Sequence, residues 1–241
     1  VMMSAPFGGT PSIPFDTISN PTLESISGPS IYDDLANLPR PRKHYQRYYT
    51  TRGANQSMWH AEQGLSNFIR AYYHHKSADW KDNRPYRLAA RTAVEWAKMP
   101  TYYIMDLNDS MAETVARVMP TTSEINANTW LTEAELVIYS AEYGRTSFQG
   151  GLNSYRMGAS GIGNAETQLY AGKTIDQPSM FISGASDWGT YQNPGSFERM
   201  QERACTDMRS VHLVEGAGHW VQQEQASETS RLLLAFLDSL A

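Results

Sequence analysis

The segment PSMFISGASD (residues 178–187) is an apolar run that ends in an acidic residue, and RSVHLVEGAGH (209–219) is a second apolar run that ends in a histidine. Between them, SFERMQERAC (196–205) carries apolar side chains at helical spacing, and SETSRLLLAFLDSL (227–240) is an amphipathic helix by the same criterion. Strands that alternate with helices in this way predict an α/β fold with a parallel sheet.

Asp187 and His219 each stand where one of these apolar runs ends. In open α/β sheets, functional side chains gather at the carboxyl ends of the strands, so we expect these two on one rim of the sheet. An Asp that accepts the Nδ1–H of a His fixes its tautomer and stabilises the imidazolium that forms when the His takes up a proton. Alone, Asp187 would read as a helix cap and His219 as a turn residue; together they indicate a catalytic pair.

The bulk composition excludes several classes of function. The net charge of −5 argues against nucleic acid as the main partner, because phosphate binding needs a basic face. The single cysteine, Cys205, excludes an internal disulfide and a cysteine-rich metal site, and it is expected to be a small core residue. No apolar run approaches the length of a membrane span. No metal, nucleotide or flavin motif is present, so we expect no cofactor.

Upstream of these elements, the chain divides by composition. VMMSAPF (1–7) is typical of a buried strand, and the Pro-, Gly- and Ser-rich stretch from Gly8 to Pro41 predicts a long excursion over a surface. Residues from about 42 to 145 predict an all-helical region. We therefore expect a core strand with its connection (1–41), a helical cap (42–160) and a C-terminal α/β core (161–241).

Local signals mark two helices inside the expected cap. Ser110 with Glu113 and Thr132 with Glu135 form capping boxes, in which the first residue begins a helix and the Glu reaches back to it. Gly144 is the expected end of the second of these helices.

A His base of this kind needs a nucleophile earlier in the chain. Ser160 in GASGIG (158–163) has the wrong glycine spacing for a nucleophile turn, and Asp79 in SADWK (77–81) lies in a polar helical region without glycines. Asp187 cannot be both acid and nucleophile. Since a core strand begins at residue 1, we expect the chain to be the C-terminal portion of a longer protein, with the nucleophile upstream of Val1.

With these features in place, the chain resembles the epoxide hydrolase branch of the α/β-hydrolase family. The resemblance runs over nearly the whole chain and rests on MSAPF (3–7), HYQRYY (44–49), FQGGLNSYR (148–156), and the pair GASDWG (184–189) and GAGHWVQQEQ (216–225). The two tyrosine motifs are its specific part. The resemblance implies that Tyr45 and Tyr155 are cap tyrosines placed over the nucleophile.

The resemblance implies an α/β-hydrolase fold with an inserted helical cap, and cofactor-independent hydrolysis of an epoxide to a vicinal diol. Two phenols can donate hydrogen bonds to the departing oxygen, a carboxylate nucleophile gives an ester, and water activated by His219 releases the diol. We expect no turnover by these 241 residues alone, because the nucleophile is missing. A haloalkane dehalogenase, an esterase and a non-catalytic hydrolase-like binding protein remain the alternatives.

The expected partners follow from the same interpretation. They are a small hydrophobic epoxide and the missing N-terminal half or a partner chain, and a homodimer stays open. Neither nucleic acid nor a membrane span is expected. Any targeting signal would lie in the missing upstream part, so the compartment stays open, with the cytoplasm as our first expectation.

Overall fold

The computed structural model describes residues 1–13 and 30–240. In chain order, the strands of this part are β1 (Met2–Met3), β2 (Arg42–His44), β3 (Ile104–Asp106), β4 (Ser179–Gly184) and β5 (Met208–Val214). The α-helices are α1 (Ile31–Ala36), α2 (Tyr45–Thr50), α3 (Ala54–Trp59), α4 (Leu65–Lys76), α5 (Ala93–Trp96), α6 (Met111–Ala116), α7 (Thr122–Ala127), α8 (Glu133–Thr146), α9 (Gln149–Ser160), α10 (Asn164–Gln168), α11 (Ser196–Arg199), α12 (Val221–Glu224) and α13 (Ala226–Asp238). No helix in the described ranges is long and apolar enough to cross a membrane.

The central sheet is parallel and has the order β1-β4-β5, which confirms the predicted α/β class. Strand β4 lies in the middle and is buried along its whole length. Its side chains alternate between two hydrophobic clusters: Met180 and Ile182 pack with Leu232 and Phe236 of α13. On the opposite face, Phe181 packs with residues of the segment between β4 and β5. Helices thus cover both faces of the sheet, as parallel strands require.

The first strand is shorter than the predicted run 1–7. It pairs with β4 through Met2 and Met3, and Ser4 then adopts a positive φ of 58°. That left-handed conformation turns the chain, and Ala5 N donates to Met3 O at 2.7 Å. The strand ends there because the backbone turns away from the sheet.

The sequence interpretation of residues 42–145 is wrong in one respect. The region 42–145 is not all helical: β2 and β3 pair antiparallel, with Arg42 opposite Asp106. Strands of three residues are too short to show an alternating pattern, so only the pairing reveals them. The excursion from Gly8 to Pro41 contains α1, which Ser30 caps by accepting from Tyr32 N, while residues 14–29 of that stretch lie outside the described residues.

The capping boxes at Ser110 and Thr132 are confirmed, and Thr121 with Glu124 forms a third that begins α7. Gly144 does not end α8, which continues to Thr146 and stops at Ser147, where φ is +55°. The following Phe148 stacks on Tyr143 with ring centroids 4.4 Å apart. Tertiary packing of this kind overrides a glycine's weak preference for a helix end.

The helices between β1 and β4 share one large aromatic core. Its most buried members include Phe68, Trp96 and Tyr103, each at most 2% exposed. This core also contains Trp188, which follows β4. Trp220, which follows β5, packs against the edge of the core. The helical insertion is therefore packed directly on the rim of the parallel sheet.

A glycine at the end of β4 lets the turn after β5 lie against the sheet. A Cβ at Gly184 would come within 2.2 Å of the carbonyl oxygens of Ala217 and Gly218. We expect Gly184→Ala to lower the free energy of unfolding by about 2 kcal/mol or more, because backbone must move. The measurement is urea unfolding followed by circular dichroism.

The matched control is Gly150→Ala in α9, where a Cβ would meet nothing within 4 Å. Alanine favours helix over glycine, so this change is expected to leave stability equal or raise it by about 0.5–1 kcal/mol. Equal stabilities of the two variants would contradict the close packing of the turn on β4.

Candidate active site

The Asp187 carboxylate is held by its own turn. The side chain is buried, and its Oδ1 accepts from Gly189 N at 2.7 Å while its Oδ2 accepts from Ser183 Oγ at 3.2 Å. Thr190 Oγ1 in turn donates to Ser183 Oγ at 2.9 Å. The carboxylate is thus fixed in position and still has oxygen lone pairs free for a partner.

His219 provides that partner from the turn after β5. Its Nδ1 lies 3.1 Å from Oδ2 and 3.2 Å from Oδ1 of Asp187, and about a quarter of its side chain is exposed. Its carbonyl oxygen accepts from Ser4 Oγ at 3.1 Å, which ties the turn to the end of β1. With Nδ1–H directed to the carboxylate, Nε2 is left as a proton acceptor.

The electrostatics of this pair suit a base. Burial alone would raise the pKa of Asp187, but His219, the Gly189 N–H and Lys76 together lower it below its ordinary value. Burial and then the charge of Lys76 lower the pKa of His219, while Asp187 acts to raise it. The result is an ionised carboxylate beside a neutral imidazole, which is the state in which His219 can accept a proton.

The two tyrosines chosen from the sequence lie together. Tyr45 opens α2 and is buried, Tyr155 lies on α9, and their ring centroids are 6.0 Å apart with an edge-on geometry. Gln46 Nε2 donates to Tyr45 OH at 3.3 Å. Burial raises the pKa of both phenols above the ordinary value, so both remain protonated hydrogen-bond donors.

A cavity of about 540 Å³ borders one of these tyrosines and the turn that carries His219. Tyr155 and Trp220 both line it, and Trp220 is the neighbour of His219, with ring centroids 4.9 Å apart. Tyr49 and Tyr72 also line it and share a hydrogen bond of 3.0 Å between their hydroxyls. Tyr45, Asp187 and His219 are not among the residues that line it. Such an apolar, aromatic cavity with a few phenol groups suits a hydrophobic ligand.

The nucleophile candidates considered in the sequence have other roles. Asp79 accepts from Asn128 Nδ2 and from Trp130 Nε1, both at 2.9 Å, so it fastens two cap segments together. The Ser160 hydroxyl is exposed at the end of α9 and donates to Met157 O. Neither residue forms a hydrogen bond with His219 or Asp187.

Glu224 is a site residue that sequence reasoning missed. Its carboxylate accepts from the backbone N–H groups of Ala78, Gly218 and Trp220, at 2.8 to 3.0 Å. Burial raises its pKa to about 7 against the opposing effect of these three donors. Its place in GAGHWVQQEQ gave no signal, because a Glu on a short polar stretch reads as solvated surface. The carboxylate holds the residues on both sides of His219 in place.

No family model matches the chain, but curated proteins are similar to part of it. It is 39% identical over 113 residues to epoxide hydrolase B of Mycobacterium tuberculosis, which is 46% of this chain and 30% of that protein. It is 42% identical over 112 residues to epoxide hydrolase A of the same species, which is 46% of this chain and 33% of that protein. The chain thus spans about a third of the length of these curated relatives.

Solved structures give the same result at the level of the fold. An epoxide hydrolase from an endophytic Streptomyces superimposes on 99% of this chain and 60% of its own length, with a TM-score of 0.68 and 23% identity. Epoxide hydrolase A from Mycobacterium thermoresistibile covers 82% of this chain and 52% of its own, with a TM-score of 0.59 and 28% identity. The fold of the chain is that of the α/β-hydrolases.

The contact between Asp187 and His219 can be tested through the pKa of the imidazole. Asp187→Asn removes the negative charge that raises the pKa of His219, so we expect this pKa to fall below that of the unaltered protein. The measurement is a titration of the imidazole by NMR. The control is Asp238→Asn at the exposed end of α13, which removes the same charge far from the turn and should leave the titration unchanged.

Asp187→Asn should also change the pH dependence of the free energy of unfolding. Because the folded-state pKa of Asp187 is depressed, its ionised form stabilises the fold above the ordinary value near 3.8, and this contribution is lost as pH falls through the folded-state value. The free energy of unfolding of Asp187→Asn should therefore fall less on acidification than that of the unaltered protein. An unchanged His219 titration together with an unchanged acid limb of stability would mean that the pair does not interact in solution.

Proposed function

We propose that this chain belongs to the epoxide hydrolase-like branch of the α/β-hydrolases and acts in the hydrolysis of an epoxide to a vicinal diol without a cofactor. The proposal rests on the contact between Tyr45 of α2 and Tyr155 of α9, whose ring centroids lie 6.0 Å apart. Tyr155 also borders the aromatic cavity that reaches the histidine turn. The proposal assigns the proton donors to a helical cap at 42–160 and the base to a core at 161–241.

The first chemical step opens the ring. A carboxylate oxygen attacks an epoxide carbon, the carbon–oxygen bond breaks, and the departing oxygen accepts a proton from one phenol while the other donates a hydrogen bond. Burial raises the pKa of both phenols, so both carry their protons before charge develops on the oxygen. The products of this step are a hydroxyalkyl ester on the protein and a phenolate.

The second step releases the diol. His219 Nε2 takes a proton from water, the resulting hydroxide attacks the ester carbonyl, and the ester bond breaks to return the carboxylate. Asp187 orients the ring and stabilises the imidazolium. Proton transfer from the imidazolium, directly or through solvent, restores the phenol. One epoxide and one water have then become one diol.

The nucleophile of this mechanism is an Asp outside the described residues. Among these, Asp79 and Glu224 are both engaged in structural hydrogen bonds, and Asp187 is the partner of the base. The outer edge of β1 has no paired strand in the part of the chain that the structure describes. A further strand on that edge, from the same polypeptide upstream of Val1 or from another, would bring a carboxylate to the rim beside His219.

The experiment that tests the function is an intact-mass measurement on the active material followed by turnover of styrene oxide in oxygen-18 water. We expect no diol from a chain of 27.1 kDa alone, because it lacks the carboxylate. A larger protein that contains this chain should form diol and, after several turnovers, carry the label in an Asp carboxylate. Diol from the 27.1 kDa chain would contradict the assignment of the nucleophile; ester cleavage without diol would replace the epoxide proposal by an esterase.

The tyrosines are tested by removing one hydroxyl at a time. Tyr45→Phe and Tyr155→Phe are each expected to slow the ring-opening step by about 100-fold, because one donor to the departing oxygen is lost. The measurement is single-turnover formation of the ester, followed separately from its hydrolysis.

The control is Tyr170→Phe, because this tyrosine is exposed and does not line the aromatic cavity. This substitution should leave the rates of both steps unchanged. If the two cap variants slowed only the hydrolysis of the ester, the phenols would not be the proton donors of ring opening.

A further inference from the structure

Lys76 is fixed against the catalytic turn by backbone contacts. It is the last residue of α4, and its carbonyl oxygen accepts from His219 N at 2.9 Å. A Cβ at Gly218 would come within 2.5 Å of that same oxygen, so the two segments touch without any intervening side chain. The position of Lys76 is therefore set by the same contact that sets the position of His219.

The side chain of Lys76 is buried among aromatic rings. Only 5% of the residue is exposed, and Nζ lies 5.3 Å from the ring centroids of Tyr72, Tyr103 and Trp220 and 5.7 Å from that of Tyr102. The faces of aromatic rings attract a cation, and most strongly where water is excluded. The cage therefore favours the ammonium form, which burial alone opposes.

A buried ammonium normally pairs with a carboxylate, because desolvation of an isolated charge is costly. Lys76 forms no salt bridge with any carboxylate in residues 1–13 and 30–240. It lies instead near the Asp187–His219 pair: its cage includes Trp220, whose ring centroid is 4.9 Å from that of His219, and its charge lowers the pKa of both Asp187 and His219. Burial lowers the pKa of Lys76 itself to about 8, and Asp187 acts against this.

We propose that Lys76 is a positioning residue of the active site, whose ammonium keeps Asp187 ionised and His219 in the neutral form that accepts a proton. An Asp beside a His favours the imidazolium, which cannot act as a base, and a nearby cation opposes that effect. The proposal rests on the proposed role of His219 as the base.

The charged groups around His219 come from three elements. Asp187 belongs to the turn after β4, Lys76 to the end of α4, and Glu224 to α12, from which its carboxylate binds the backbone on both sides of His219. Lys76 is the cation of this set. Its removal leaves two carboxylates near the imidazole, so the imidazolium becomes more stable.

The test compares Lys76→Met, which removes the charge from a side chain of similar length, with Lys76→Arg, which keeps it. For Lys76→Met we expect the pKa of His219, measured by NMR, to rise by on the order of one unit. The acid limb of the pH profile for ester hydrolysis should move to higher pH by the same amount. Lys76→Arg should keep both values near those of the unaltered protein.

A measurement on the unaltered protein covers the case in which a variant fails to fold. NMR titration of His219 should show a second inflection near pH 8, where Lys76 loses its proton, and the Lys76 side-chain signals should titrate at the same pH. A single inflection with no step near pH 8 would overturn the proposal, as would equal effects of Met and Arg at position 76. Absence of diol formation by the active material would refute the proposed function, and the NMR titration would still decide the role of Lys76.

Discussion

The hydrogen bond between His219 and Asp187 depends on two turns at the carboxyl ends of neighbouring parallel strands. Strands β4 and β5 are in register to their last pair, Gly184 opposite Val214, so both chains leave the sheet at one level. The turn after β5 then folds back over the end of β4, where Ser186 N donates to Ala217 O at 2.9 Å. A side chain at Gly184 would separate these turns. The strand register and the turns thus bring the backbones of residues 187 and 219 close together.

The helical insertion is attached to this rim by a small number of polar contacts. His219 N binds Lys76 O, Ala78 N binds Glu224, and the indole N–H of Trp220 donates to Tyr73 O at 2.9 Å. Trp220 also stacks on Tyr73 with ring centroids 4.2 Å apart. The aromatic side chains of α4 and the backbone of His219 therefore pack directly against each other.

The charged side chains of the site are separate from the aromatic residues that line the cavity. Aromatic residues, several of them tyrosines, make up half of the cavity lining, whereas Asp187, His219 and Lys76 are not part of it. This arrangement keeps the cavity suited to an apolar ligand while the charges beside the imidazole remain poorly solvated. Poorly solvated charges interact strongly, which is why Asp187 and Lys76 both affect the protonation of His219.

The sequence alone determined the α/β class, the parallel sheet and two of the three capping boxes, because these follow from local patterns of apolar residues and helix caps. It also singled out Asp187, His219, Tyr45 and Tyr155, which the structure brings into two close pairs. Only the tertiary structure revealed β2 and β3, since three-residue strands have no periodicity of their own. Only the tertiary structure placed Lys76 and Glu224 beside His219: their partners are backbone groups and ring faces distant in sequence, and such contacts leave no local pattern.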